Sequence, residues 1–217
     1  MNAPRFPRGL YGVTPEWDDT ARLLDAVRQA AAGGMRALQL RRKHLSPDAR
    51  LAQAHELAPL CRELGVLFIV NDDWRCAVEA GADGAHLGRD DASLAEVRAA
   101  APGLLLGVSC YGDLSRAQAL LDEGADYVAF GAVFPSPTKP QAPHAPLSLL
   151  NEAAARVAGC ATPRPAVVAI GGITPANAAQ VAAAGADSIA VITGLFEAPD
   201  IRSAAQACAA PFTSSRA

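Results

Sequence analysis

The chain has 217 residues, 51% of them hydrophobic and 19% charged, with a net charge of −3. That composition builds one well-cored globular domain and excludes a disordered chain, a coiled coil and a basic nucleic-acid surface. No segment reaches the roughly 18 unbroken apolar residues of a membrane span, and Met1 to Arg8 lacks the apolar core of a signal peptide, so a cytoplasmic protein is expected.

One phrase recurs along the chain: a helix end rich in small residues, a glycine-led turn such as Gly-Ala-Asp, then a strand. It spans Gly33 to Leu40, Gly81 to Gly88, Gly124 to Gly131 and Gly185 to Ile192. Such repetition reads as serial strand and helix units. Strands are predicted at Leu10 to Thr14, Ala37 to Arg41, Leu67 to Asn71, Ala85 to Leu87, Leu104 to Ser109, Tyr127 to Val133, Val167 to Ile170 and Ile189 to Ile192. The stretches Leu104 to Val108 and Ala166 to Ile170 are nearly continuous apolar runs, as in parallel strands buried on both faces. Between strands the spacing turns helical, as in Leu23, Val27 and Ala30, and again in Leu114, Ala117 and Leu121.

Eight such units predict an α/β fold, a single-domain (β/α)8 TIM barrel over residues 9–210, with residues 1–8 and 211–217 as flexible tails. The chain is short beside the usual size of about 250 residues, but sufficient if the loops are lean. A doubly wound open sheet is the competing architecture, and no Gly-x-Gly-x-x-Gly turn follows the first strand to support it. The five cysteines are odd in number and lack Cys-x-x-Cys spacing, so they read as reduced thiols, with Cys110 a small packing residue. Trp17 and Trp74 are expected to pack against helices.

In a barrel of this kind chemistry sits at the C-terminal strand ends. Strand two ends in Gln39-Leu40-Arg41-Arg42-Lys43, where alternation sends Gln39, Arg41 and Lys43 to one side. Arg41 can fork two donors onto phosphate oxygens and Lys43 adds a point charge, although a solvated basic loop is the plain alternative. Strand three ends in Asn71-Asp72-Asp73, and strand four runs into His86-Leu87-Gly88-Arg89-Asp90-Asp91. Carboxylates at neighbouring strand ends suit magnesium shared with a substrate's phosphates, while Asp73 and Asp90 also read as helix caps. His86 reads as a packed or hydrogen-bonding group rather than a ligand, since magnesium prefers oxygen.

Strand six leads into a long proline-rich connection, Phe134 to Pro146, that carries Ser136, Thr138 and Lys139. Its length suggests a lid or binding element, and its prolines reduce the entropy lost on closure. Strands seven and eight end in Ile170-Gly171-Gly172 and Ile192-Thr193-Gly194. Both resemble phosphate cradles, in which glycine admits backbone amides and a short helix adds its N-terminal dipole. Two anion sites imply two phosphorylated substrates.

Gln39-Leu-Arg41-Arg-Lys43, Val70-Asn71-Asp72, His86-Leu-Gly88 with Asp91, Gly107-Val-Ser109, Ser136-Pro-Thr138-Lys139 and Ala169-Ile-Gly171-Gly172-Ile173 form an ordered set. In that order and spacing they resemble the thiamine-phosphate synthase family, from about Gly9 to Asp200. The resemblance implies a transferase that joins a hydroxymethylpyrimidine diphosphate to a thiazole phosphate, or its carboxylated form, giving thiamine monophosphate and diphosphate. It implies Mg2+ bound by Asp72 and Asp91, and Arg41, Lys43 and Lys139 as the catalytic residues that hold the diphosphate. Gln39, Asn71 and Ser109 would position the pyrimidine, Ser136 and Thr138 would meet the thiazole phosphate, and Gly172, Ile192 and Thr193 would take its phosphate. The implied chemistry is dissociative: a pyrimidinylmethyl cation forms and the thiazole nitrogen attacks it, with no covalent nucleophile. The partners are then two small molecules, neither nucleic acid nor membrane, and a homo-oligomer stays open.

Four positions depart from the commonest family pattern: Arg89 in place of Gln or Glu, Ser136 in place of Thr, Tyr111 in place of His, and Thr193 in place of Ser. Most keep a hydrogen-bonding group, so tuning is expected. Arg89 either competes with magnesium beside Asp91 or points to solvent. A thiazole tautomerase is the nearest rival, but Ala132 stands where such relatives tend to place a histidine suited to proton transfer. A noncatalytic phosphate-binding barrel is the second, and the intact Asp72, Asp91 and Lys139 speak against it.

Overall fold

A computed structural model describes residues 3–135 and 144–213. The elements run β1 (Gly9–Val13), α1 (Thr20–Ala32), β2 (Met35–Leu40), α2 (Pro47–Leu64), β3 (Leu67–Asn71), α3 (Trp74–Ala80), β4 (Gly84–Leu87) and α4 (Leu94–Ala100), then β5 (Leu105–Tyr111), α5 (Leu114–Asp122), β6 (Tyr127–Phe130), α6 (Leu147–Ala158), β7 (Ala166–Ile170), α7 (Ala178–Ala183), β8 (Ser188–Val191), α8 (Thr193–Phe196) and α9 (Ile201–Thr213). Each strand pairs in parallel with the next, and β8 returns to β1, so the sheet closes as the sequence predicts.

The aspartates of the repeat explain why it recurs. Asp83, Asp126 and Asp187 stand just before β4, β6 and β8, and their carboxylates accept from the backbone N–H of Phe68 (2.7 Å), Leu106 (2.8 Å) and Val167 (3.0 Å). The backbone N–H of each aspartate donates to the carbonyl of that same residue. A Gly-Ala-Asp turn thus ties β4, β6 and β8 each to its predecessor at the N-terminal end, where otherwise unpaired amides would be costly.

Two cores follow from closure. One lies between sheet and helices and contains residues such as Leu23, Leu57, Val97 and Leu150. The other fills the barrel interior with Phe6, Tyr11, Val13, Ala37, Ile69, Tyr127, Ala129, Ala166, Val168 and Ala190. Large and small inward residues must alternate for such an interior to fill. Gly107 shows the rule: a Cβ there would overlap the Tyr127 ring on the neighbouring strand.

The expected free N-terminal tail is instead tied down over Ala3 to Arg8. Pro4 bridges to Arg164, Arg5 pairs with Asp126 at 3.1 Å, and Phe6 has no exposed surface. Phe6 closes the lower end of the barrel, its ring tilted against Tyr11 at 4.8 Å and against Tyr127 at 4.3 Å between centroids. At the other terminus α9 carries the fold on to Thr213, past the predicted limit at residue 210. The strand limits also shift: β5 extends to Tyr111, which pairs with Phe130 across a register irregularity. β6 stops at Phe130 rather than Val133, because Val133 and Phe134 turn their amides to Ile170 and Gly171. None of the five cysteines, all within the described residues, forms a disulfide, and Cys110 is fully buried. Among the described residues no helix is long and apolar enough to cross a membrane.

Candidate active site

Inward alternation along β2 to β5 delivers polar groups to one cavity of about 430 Å³ at the C-terminal mouth. Gln39, Arg41 and Lys43 reach it from β2 and its end, Asn71 and Asp72 from β3, His86 and Asp91 from β4 and its end, Ser109 and Tyr111 from β5. The opposite wall is apolar, formed by Ala129, Gly131, Ala132, Val168, Ile170 and Ile192. One side is built for charge and the other for a flat organic ring.

The basic rim is held by a residue that sequence reasoning passed over. Glu16 Oε1 accepts from the Lys43 backbone N–H at 3.1 Å and lies 3.7 Å from Arg41 Nη1, while Glu16 Oε2 accepts from Arg42 Nε at 3.4 Å. Arg42 points away from the cavity, 3% exposed, and donates to Gln53 (2.9 Å), to Asp18 (2.5 Å) and to the Trp17 carbonyl. Burying this guanidinium among acceptors pins the loop after β1 to α2, leaving Arg41 and Lys43 to face the ligand.

Lys43 Nζ stands 3.4 Å from Asp72 Oδ2. Asp91 Oδ2 accepts from the Gly88 backbone N–H at 2.6 Å. Burial raises the Asp91 carboxyl above its ordinary value, the Gly88 N–H and Lys43 oppose this, and the adjoining Asp72 adds to the rise. Two carboxylates that resist shared ionisation form a site that a cation relieves. Among the described residues no group of three or more His, Cys, Asp or Glu side chains is placed to hold a metal. Two hard oxygen donors beside cations for phosphate nevertheless fit Mg2+, which keeps several waters and takes ligands from a substrate's phosphates. Asp73 proves to be the cap of α3, accepting from Cys76 N–H at 3.0 Å and from Arg50 at 2.7 Å. Ser93, not Asp90, caps α4.

Asp72 (φ 65°) and Tyr111 (φ 56°) are the two described non-glycine residues in the left-handed region, and both line this cavity. Such conformations cost on the order of 1–3 kcal/mol and gather at functional sites. Arg89, a family departure, lies with its guanidinium carbon 4.9 Å from the Tyr111 ring, a second departure, and is solvent-exposed.

Below the rim the structure joins residues that the sequence could not. Gln39 Nε2 donates to Tyr11 Oη at 2.6 Å, Tyr11 and Tyr127 hydroxyls meet at 2.9 Å, Tyr127 Oη lies 3.0 Å from His86 Nδ1, and His86 Nε2 lies 2.9 Å from Ser109 Oγ. Burial pushes both tyrosine hydroxyls well above their usual range and lowers His86 to about 4, so all three are neutral at pH 7. Tyr11 and Tyr127 carried no motif signal in the sequence.

At β7 and β8, Gly171 and Ile192 line the cavity, whereas Gly172 and Thr193 stand outside its lining. Gly172 has φ 65°, and a Cβ there would strike the Pro135 carbonyl oxygen. Ser136, Thr138 and Lys139, with most of the predicted lid, lie outside the described residues.

Residues 10–195 match the family model described as thiamine monophosphate synthase. The chain is 84% identical over 212 residues to the thiamine-phosphate synthase of Bordetella avium, covering 98% of each chain. It is 72% identical to that of Bordetella pertussis, over 98% of this chain and 99% of the other. A solved thiamine phosphate pyrophosphorylase from Pyrococcus furiosus superposes with a TM-score of 0.80 at 33% identity, covering 94% of this chain and 95% of that one. The chain belongs to the thiamine monophosphate synthase family.

Proposed function

We propose that this barrel is a cytoplasmic transferase that condenses an aminopyrimidine methyl diphosphate with a thiazole phosphate, or its carboxylated form, to thiamine monophosphate and diphosphate. Family membership carries the reaction class, and one observation supports its location: Arg41, Lys43, Asp72 and Asp91 converge on the cavity that Gln39, Asn71 and Ser109 also line.

The diphosphate lies at the charged rim, where Arg41 grips phosphate oxygens bidentately and Lys43 adds a point charge. Lys139, in the connection after β6 and outside the described residues, would add a third cation by its family role. Asp72 and Asp91 would hold Mg2+, which when bound would supply charge neutralisation for the departing diphosphate. Donors fixed where charge develops accelerate the step because they need not reorganise, and each is worth about 10²- to 10³-fold. Lys43 rests on Asp72 until phosphate oxygens give it a second partner. Gln39, Asn71 and Ser109 hold the pyrimidine ring, with Ile170 and Ile192 against its face. Ser136 and Thr138 meet the thiazole phosphate, and Gly172, Ile192 and Thr193 cradle its phosphate end. Holding both rings in attack geometry supplies up to roughly 7–11 kcal/mol of the acceleration. Ala132 lines the cavity in place of a proton-transfer group, which favours condensation over tautomerisation.

Incubating the protein with both substrates, first with magnesium and then with chelator, tests this reading. Metal-dependent thiamine monophosphate is expected; no product, with tautomerisation of the thiazole in a parallel assay, would replace it.

A further inference from the structure

With the Gln39 amide nitrogen turned to Tyr11, the hydrogen bonds beneath the cavity run in one direction, and counting hydrogens from that end gives it. An amide nitrogen only donates, so Tyr11 Oη accepts from Gln39 Nε2 and must send its own hydrogen elsewhere. Tyr11 is 1% exposed, and the other partner the described residues offer its hydroxyl is Tyr127 Oη. If Tyr127 donated in that bond, the Tyr11 hydrogen would be buried without an acceptor, the costly arrangement. Tyr127 therefore accepts from Tyr11 and donates to His86 Nδ1. A neutral imidazole accepting at Nδ1 carries its hydrogen on Nε2, which donates to Ser109 Oγ. Ser109, having accepted, keeps its own hydrogen for the cavity. At the other end Gln39 gives one Nε2 hydrogen to Tyr11, which turns its carbonyl oxygen Oε1 away from that hydroxyl.

We infer that this relay is a specificity device, in which Tyr11, Tyr127 and His86 are positioning residues that fix Ser109 as a donor and Gln39 as an acceptor toward the ligand. The inference rests on the proposed pyrimidine site and names the edge that site reads. A ring nitrogen beside an exocyclic amine offers an acceptor and a donor, and meets both groups. The corresponding oxopyrimidine offers a ring N–H and a carbonyl: the carbonyl opposes the Gln39 oxygen, and the N–H can be met only if Ser109 spends its second lone pair and turns its hydrogen elsewhere, which is discrimination by mismatched polar groups. Phe6 and Gly107 keep the relay in place, the first by packing at a tilt against both tyrosine rings, the second by leaving room for Tyr127.

Two-bond proton–nitrogen correlation spectra of labelled protein at pH 7, with His86 assigned by its loss in His86→Gln, read the relay without turnover. The wild type should show the Nε2–H tautomer. Tyr11→Phe should keep it, because the Tyr127 hydrogen still needs Nδ1, whereas Tyr127→Phe should release it. The diphosphates of the aminopyrimidine and the oxopyrimidine are then compared as ligands. The wild type should prefer the amine by about a hundredfold or more, and Tyr127→Phe should narrow that preference at least tenfold while the KM for the thiazole phosphate stays unchanged. An Nδ1–H tautomer in the wild type, or equal discrimination in both proteins, overturns the relay. Absence of thiamine monophosphate would overturn the proposed reaction instead, because the tautomer is read independently of turnover.

Discussion

Replacing Phe6 by alanine removes a ring that has no exposed surface and touches both interior tyrosines. Phe→Ala in a packed core costs about 3–5 kcal/mol, from lost transfer energy and the cavity left behind. Phe6 lies at the lower end of the barrel rather than mid-core, so water can partly refill the space, and we expect about 3 kcal/mol. For a chain of this length each kcal/mol moves the midpoint by roughly 2–4 °C, giving a fall of roughly 6–12 °C. Urea and thermal unfolding followed by circular dichroism measure this directly. Arg5→Ala serves as the neighbouring control: its pair with Asp126 is 39% exposed on the arginine side, and such pairs contribute about 1 kcal/mol or less. If Phe6→Ala shifts stability no more than Arg5→Ala does, the N-terminal segment is a tail after all and the plug is wrong.

Three other outcomes are expected. His86 titrates at about 4 in the fold against 6.5 when unfolded, so below pH 6.5 the unfolded chain takes up a proton that the native site refuses. Its contribution to stability is therefore complete above pH 6.5 and falls by about 3 kcal/mol as pH drops to 4; His86→Gln should flatten that part of the curve, and parallel curves would contradict the assignment. Asp72→Ala and Lys139→Ala should each lower turnover by about 10²-fold or more with unfolding midpoints preserved, so near-normal rates in both purified variants would remove these roles. Arg89→Gln should change turnover by no more than about fivefold, since an exposed guanidinium beside a ring contributes about 0.5–1 kcal/mol, and a loss of about a hundredfold would place Arg89 in the machinery.

The fold and the charged rim were legible because both are written in short periods. The repeated glycine-led turn marks strand entrances, and its aspartates tie strands at β4, β6 and β8. Period-two alternation sends Gln39, Arg41 and Lys43 to the cavity and turns Arg42 away, as the structure shows. What the sequence did not reveal depends on contacts between distant residues. Tyr11 and Tyr127 are 116 positions apart, and nothing local says that their hydroxyls meet. Glu16 reads as an ordinary loop acid until the fold sets it against Arg41, Arg42 and Lys43. Phe6 sits in a proline-rich stretch without periodicity, so its burial shows only when the barrel closes above it. Asp73 and Asp90 carried the same local signal, and only the backbone geometry separates the cap of α3 from a residue on the cavity wall.

A diffraction map of the protein grown with magnesium, thiamine monophosphate and diphosphate tests the central claim most directly. The account predicts metal density at Asp72 and Asp91, diphosphate against Arg41 and Lys43, and the pyrimidine edge on Gln39 and Ser109. Diphosphate bound away from this rim, or a metal held by other residues, would contradict it.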